Sequence, residues 1–171
     1  MSEGLGKVLI HSEQIALAVR MLAQKLNKDY KHQSPLLVSV LNGSFIFTAD
    51  LVRQLNFVHE VCFIHLISYK DNKTTGEVSM MRAPNVVINN RVVLIIEDII
   101  DSGLTMKYLT DHLITWGAKE VKVCTLLNRC KTFKSDYVGI ELTTDKFLVG
   151  YGLDLDNQFR NFPYIIECGG E

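Results

Sequence analysis

The sequence is poor in the features that would tie it to zinc, a membrane or a polyanion. Its four cysteines, Cys62, Cys124, Cys130 and Cys168, form no C-x-x-C pair. Cys62 and Cys124 lie inside apolar runs, so buried free thiols are expected rather than disulfides or a zinc site. The five histidines are scattered without a partner at metal-ligand spacing, and His65 reads as a strand-end residue. Eighteen basic residues against nineteen acidic ones leave a formal charge of −1. That balance excludes a global pull toward nucleic acid or membrane but permits a local anion site. No apolar run approaches the ~18 residues of a membrane span, and Met1-Ser2-Glu3-Gly4 lacks the basic region and apolar core of a signal segment. A reducing, cytoplasmic compartment is the resulting expectation. Repeats, low-complexity segments and linkers are missing too, so residues 1–171 are expected to form one domain that buries about two thirds of its unfolded surface.

What is present is an alternation of buried strand and helix. Leu36 to Leu41, Val92 to Ile96 and Val121 to Leu127 read as strands covered on both faces. Val58 to Ile67 is apolar on both alternations and reads as a central strand, and Lys7 to Ile10 as a short one. Ile15, Ala18, Val19, Leu22 and Leu26 repeat at helical spacing over residues 13–28, with Ser12 as N-cap. Phe45 to Leu55 is helical by pattern, as is the segment carrying Met106, Leu109, Leu113 and Trp116, which Gly117 ends. This recurrence from residue 36 to 127 predicts an α/β fold with a doubly wound, mostly parallel central sheet and a ligand crevice at the carboxyl ends of its strands. The C-terminal ~40 residues carry short strands instead, at Tyr137–Ile140, Phe147–Gly152 and Tyr164–Glu167, and are expected to form a small hood over that crevice.

The chemistry is expected at Glu97-Asp98-Ile99-Ile100-Asp101-Ser102-Gly103-Leu104-Thr105, where a buried strand gives way to a helix. Successive strand residues point to opposite sides, so Glu97 and Asp98 share a face only if the strand has already ended. Otherwise one faces a ligand while the other braces the loop. Free N–H groups at the helix start favour an anion, Gly103 lets backbone approach it, and Ser102 and Thr105 add hydroxyl donors. The neighbouring acids would repel that anion unless they hold hydroxyl groups or a divalent cation. A phosphorylated sugar whose diol meets the carboxylates, with Mg2+ nearby, satisfies both halves. Asn42-Gly43-Ser44 is a second strand-to-helix turn with a glycine, hence a second place where amides can meet an anion. Between Ser68 and Asn90 the composition turns polar, a length that marks either a functional lid or a surface hairpin.

The nine-residue stretch resembles the phosphoribosyl-pyrophosphate (PRPP) signature of the type I phosphoribosyltransferases, and its Ile99-Ile100 resembles the hypoxanthine-guanine branch of that family. The resemblance extends to Asn42-Gly43-Ser44, to Ser68-Tyr69, to Lys134 through Gly139, and to Asp145 through Arg160. It implies Mg2+-dependent transfer of the 5-phosphoribosyl group from PRPP to hypoxanthine or guanine, giving IMP or GMP and pyrophosphate in purine salvage. It further implies that Glu97 and Asp98 engage the ribose hydroxyls and metal, that Ser102, Gly103, Leu104 and Thr105 bind the 5′-phosphate, and that Asp101 acts on purine N7. By the same resemblance Asn42, Gly43 and Arg160 meet pyrophosphate, with Asn42 standing where a lysine is often found. Lys134 would donate to O6, Phe147 would stack on the purine, main-chain groups at Leu148 and Asp154 would read its edge, and Asp154 would hold a second metal. Ser68 and Tyr69 would open a lid over 68–90, which keeps water from an oxocarbenium-like centre. The partners implied are PRPP, a 6-oxopurine and further copies of the chain in a homodimer or homotetramer. A PRPP- or nucleotide-binding regulator on the same fold is the rival, but no basic surface or added DNA-binding segment supports it. A receiver-type signalling domain would leave Lys134, Phe147, Asp154 and Arg160 unexplained.

Overall fold

The computed structural model describes residues 5–68, 78–82 and 85–168. In chain order the elements are β1 (Leu5–Ile10), α1 (Ser12–Asp29), β2 (Leu36–Leu41), α2 (Phe45–Val52), β3 (Glu60–Ser68) and β4 (Val78–Arg82). They continue with β5 (Val92–Ile100), α3 (Leu104–Thr115), β6 (Glu120–Asn128), β7 (Tyr137–Glu141), β8 (Phe147–Val149) and β9 (Ile165–Cys168). The main sheet runs β4-β3-β2-β5-β6-β7. Its strands are parallel except β4, which lies antiparallel on β3.

Strand alternation explains why both faces are covered. Leu37, Leu94, Ile96, Cys124 and Leu126 point to the face that carries α1 and α2, where they meet Ile15, Val19, Leu22, Phe47 and Leu51. Val38, Val93, Ile95 and Val123 point to the other and meet Met106, Leu109 and Leu113 of α3. A period of two in the strands and of 3.6 in the helices thus meet in two apolar layers. From β2 the chain passes through α2 to β3 on one side, while β5 flanks β2 on the other. The order reverses between β2 and β5, and a crevice opens beyond their carboxyl ends at such a switch. All four cysteines are free and buried, Cys62 and Cys124 within the apolar runs that pointed to it.

Several local expectations are corrected. α1 is capped by His11 rather than Ser12, because the His11 N–H donates to Gln14 Oε1 at 2.9 Å and Ser12 is already helical. α2 stops at Val52 because the next bonds, Gln54 N to Leu51 O at 2.9 Å and Leu55 N to Val52 O at 3.2 Å, reach back only three residues. β5 continues through the acids to Ile100 instead of ending at Ile96. Tyr137–Glu141 is not part of the hood. It extends the main sheet as β7, parallel to β6. Part of the supposed lid over 68–90 is β4, hydrogen-bonded to β3, while Tyr69 and residues 70–77 lie outside the described residues. The hood is a separate antiparallel sheet, β1-β9-β8, so its third strand comes from the N-terminal end. Gly117, at φ 86°, ends α3 as its position suggested, with Ala118 N donating to Leu113 O at 3.0 Å and Gly117 N to Ile114 O at 2.9 Å.

Leu94 is 0% exposed and Val87 74% exposed. Leu94→Ala is expected to cost about 2–5 kcal/mol in urea denaturation, whereas Val87→Ala should stay within about 0.5 kcal/mol. A Leu94→Ala midpoint equal to the parent's would contradict the placement of that residue between the two layers.

Candidate active site

At the switch point a cavity of about 210 Å³ is lined by Leu41 and Gly43 from the β2 end, Glu97 to Ser102 from β5 and its exit, and Gly103 and Thr105 at the start of α3. Glu97 and Asp98 both line it, although they are neighbours on a strand. Pairing of β5 to β2 ends at Ser39↔Ile96, while pairing to β6 runs on through Ile100↔Asn128. Past Ile96 the N–H groups take the acids' own oxygens. Asp98 N donates to Glu97 Oε1 at 3.2 Å, and Ile99 N to Asp98 Oδ1 at 2.9 Å. Buried backbone donors need acceptors, and the two carboxylates serve here. Both acids line the cavity, and Asp98 in addition presses on the Gly43 turn.

Both acids are buried, Glu97 at 7% and Asp98 at 8% exposure. Loss of solvent, then the adjacent Asp98 charge and its hydrogen bond, hold the Glu97 carboxyl well above the usual carboxylate range. No lysine, arginine or histidine among the described residues pairs with either acid. Two repelling, buried oxygen donors of this kind fit a divalent cation that completes its shell with water and phosphate oxygens, as Mg2+ does.

The turn opposite is set by crowding. A Cβ on Gly43 would lie 1.7 Å from Asp98 Oδ2, and one on Gly152 would lie 2.0 Å from Gly43 O. Only backbone fits between the acid pair and the segment after β8. Beneath the turn, Ser39, Ser44 and Thr48 form a buried hydroxyl chain, with Ser39 Oγ 2.8 Å from both partners and Ser44 Oγ donating to Val40 O at 2.5 Å. Asn42 is exposed at its tip. Gly103, at φ 78°, caps α3 and packs on Phe133 and Cys130. The Leu104 N–H donates to Ser102 Oγ at 3.4 Å, and Leu104 itself is largely exposed. Thr105 lines the cavity wall.

Asp101 emerges on the rim, with its side chain 63% exposed. It is gripped by Arg129, a residue the sequence reading passed over. Arg129 Nε donates to Asp101 Oδ1 at 2.9 Å and Nη2 to Oδ2 at 3.1 Å, while Nη1 donates to Lys146 O at 2.7 Å. The signal was available, since a basic residue directly after a doubly buried strand stands on the crevice rim. Its placement follows from Arg129 N donating to Ile100 O at 3.0 Å, and from Asn128, which accepts from Cys130 N at 3.2 Å and donates to Glu141 at 2.9 Å. Asp101 and the strand of Phe147 and Leu148 are thereby brought together. Phe147 is 52% exposed and Leu148 is buried.

Lys134 lies on the segment that enters β7. It is exposed, and two residues later Asp136 Oδ2 already accepts from Val123 N at 2.9 Å, well back from the carboxyl end of β6. Asp154 and Arg160 pair at 2.8 Å, Asn157 N donates to Asp154 Oδ2 at 2.7 Å, and Arg160 Nη1 donates to Gly152 O at 2.7 Å. They therefore stand on the Gly43 side. Ser68 is the last residue of β3.

The chain matches the phosphoribosyl transferase domain model over residues 8–156. It is 39% identical over 170 residues to a hypoxanthine-guanine phosphoribosyltransferase of Bacillus subtilis, covering 96% of this chain and 94% of the relative. Among solved structures it superposes on a hypoxanthine-guanine phosphoribosyltransferase of Bacillus anthracis with a HEPES molecule in the active site. The TM-score is 0.90 at 36% identity, over 96% of this chain and 99% of the other. A hypoxanthine phosphoribosyltransferase of Staphylococcus aureus gives 0.91 at 34% identity, over 99% and 94%.

The raised Glu97 carboxyl fixes a sign for stability. Above the ordinary glutamate value of 4.5 the unfolded chain has released a proton that the fold still holds, so stability falls as pH rises through the folded value. In chelator, Glu97→Gln should melt a few degrees above the parent at neutral pH, and the gap should close toward pH 4.5. Mg2+ should raise the melting temperature of the parent more than that of the variant. Parallel pH profiles for the two proteins would rule out the buried acid pair as the source.

Proposed function

The chain belongs to the phosphoribosyl transferase family, and from that membership we infer that its cavity carries out purine salvage. In this reading it transfers the 5-phosphoribosyl group of PRPP to hypoxanthine or guanine, yielding IMP or GMP and pyrophosphate. The observation that carries it is the meeting of Asp101 with the Phe147 strand through Arg129, at the mouth of a cavity lined by paired acids and a glycine-opened helix start. Ser102, Gly103, Leu104 and Thr105 hold the 5′-phosphate on the amides and hydroxyls at the start of α3. Glu97 and Asp98 take the ribose hydroxyls. Mg2+ bound at the acids would neutralise their charge and that of the departing pyrophosphate. Asn42, Gly43 and Arg160 face the pyrophosphate end, Asp154 is the second candidate carboxylate for metal, and Ser68 and Tyr69 begin the covering segment.

The purine sits between Asp101 and the face of Phe147. As the bond from C1′ to the pyrophosphate oxygen breaks, N9 forms its bond to C1′ and the N7 proton passes to Asp101. A carboxylate has more acceptor sites than the Arg129 fork uses, so Asp101 keeps room for N7. The guanidinium likewise carries more N–H groups than its three bonds consume. Lys134 supplies the donor to O6, as the resemblance implies, while Arg129 holds Asp101 in place. A fixed donor accepts a 6-oxo group and leaves itself unpaired against a 6-amino group. Leu148 closes the wall behind the base. Exposed Leu17, Met21 and Ile114 supply apolar surface for a homodimer or homotetramer.

The decisive assay follows absorbance with PRPP, Mg2+ and each of hypoxanthine, guanine, xanthine and adenine, and turnover of the first two is expected. Asp101→Asn should bind PRPP as the parent does and lose on the order of 10²–10⁴ in turnover. Undiminished single-turnover chemistry would remove Asp101 from its role. Lys134→Ala should lower the preference for hypoxanthine over adenine, read as a ratio of kcat/KM values, by about tenfold or more. Arg129→Ala should hold that ratio within about twofold and lower turnover with hypoxanthine instead. The reverse pattern would move the donor role to Arg129.

A further inference from the structure

After β8 the backbone makes three consecutive left-handed residues, Gly150 at φ 109°, Tyr151 at φ 51° and Gly152 at φ 102°. The two glycines are dictated by space, since a Cβ on Gly150 would sit 2.1 Å from Tyr164 O and one on Gly152 would sit 2.0 Å from Gly43 O. Tyr151 has no such excuse. A bulky side chain at positive φ persists only where its surroundings over-determine it, and such positions cluster at functional sites. Tyr151 is 7% exposed, packed with the α1/α2 layer, and its hydroxyl donates to Asp50 Oδ2 at 2.7 Å. Burial and that bond push the phenol far above the usual tyrosine value, so it remains a donor at all working pH.

Asp50 belongs to α2, the helix that the Leu41–Ser44 turn opens. A closed circuit of contacts results: Gly43 leads into α2, Asp50 on α2 holds Tyr151, Tyr151 carries Gly152, and Gly152 lies on the Gly43 carbonyl. The run's other bonds, Tyr151 N to Phe162 O at 2.8 Å and Gly152 N to Arg160 O at 2.9 Å, tie it to its own hairpin. Among the described residues the phenol–carboxylate bond is the one hydrogen bond that ties the run to α2. On its far side Gly43 meets Asp98, so a shift of the turn is felt at the acid pair.

We propose that Tyr151 and Asp50 are a positioning pair that holds the Leu41–Ser44 turn in register for the pyrophosphate end of PRPP. The proposal rests on reading the cavity as a PRPP site. Neither residue touches substrate, and the pair acts through Gly152 and Gly43.

The test uses the full chain with saturating Mg2+. Tyr151→Phe keeps the buried ring and removes the hydroxyl. KM for PRPP, and the Kd of PRPP by calorimetry, should rise on the order of tenfold, the scale of one hydrogen bond to a charged group. KM for hypoxanthine should stay within about twofold. Asp50→Asn, whose amide oxygen still accepts from the phenol, should restore PRPP binding to within about threefold of the parent, whereas Asp50→Leu should behave as Tyr151→Phe. Unchanged PRPP affinity in Tyr151→Phe overturns the proposal, as does an equal rise in KM for both substrates, which is what general loosening would give. If the parent binds PRPP but turns over no oxopurine, the functional reading fails while the calorimetric arm still decides the pair. A parent that does not bind PRPP removes both.

Discussion

Two carboxylates buried side by side, with no cation of the protein's own among the described residues, are the constraint on which the site turns. Desolvation and mutual repulsion make Glu97 and Asp98 a costly arrangement for a fold to keep. The cost is borne by position. The acids stand at the end of β5, the strand between β2 and β6 whose preceding residues, Val93 to Ile96, are fully buried. That anchorage leaves the acids little freedom to retreat into water. A proton kept on Glu97 relieves them within the protein, and in the proposed reaction a divalent cation carried by a phosphate ester would do so from outside.

The same crowding sets the opposite wall. Because Asp98 presses on Gly43 and Gly152 presses on the Gly43 carbonyl, the turn after β2 is clamped between the sheet and the segment after β8. The hydroxyls of Ser39, Ser44 and Thr48 satisfy one another below it, so no polar atom of that network is left without a partner in the core. The site is thus built from backbone where substrate must come close, and side chains lock the backbone from behind.

Arg129 joins the two halves. One guanidinium holds Asp101 from the sheet and the Lys146 carbonyl from the hood strand, so the group proposed to take the purine proton and the aromatic proposed to carry the purine move as one unit. Arg129 suits this because its planar fork binds a carboxylate through two parallel bonds while a third donor stays free to reach elsewhere. A lysine could not hold that geometry with a single ammonium.

Much of this was legible in the sequence. Periodicity alone separated the strands of residues 36–41, 92–96 and 121–127 from the helices between them, because a period of two and a period of 3.6 leave different apolar patterns. The order of acids, glycine and hydroxyls in Glu97 to Thr105 marked the passage from strand to helix. What the sequence could not decide was long-range pairing. It assigned Tyr137–Ile140 to the hood although that segment completes the main sheet, and it left β1 unplaced although β1 pairs with β9. It passed over Arg129, because only the placing of the strands beside one another brings a residue just past β6 to both Asp101 and the Lys146 carbonyl. The shared cavity was equally hidden in one dimension: pairing to β2 ends at Ile96 while pairing to β6 runs on, so β5 is left open on the β2 side where the acids stand. Local composition determined which residues could do chemistry, and strand partnership across the sheet decided which of them meet.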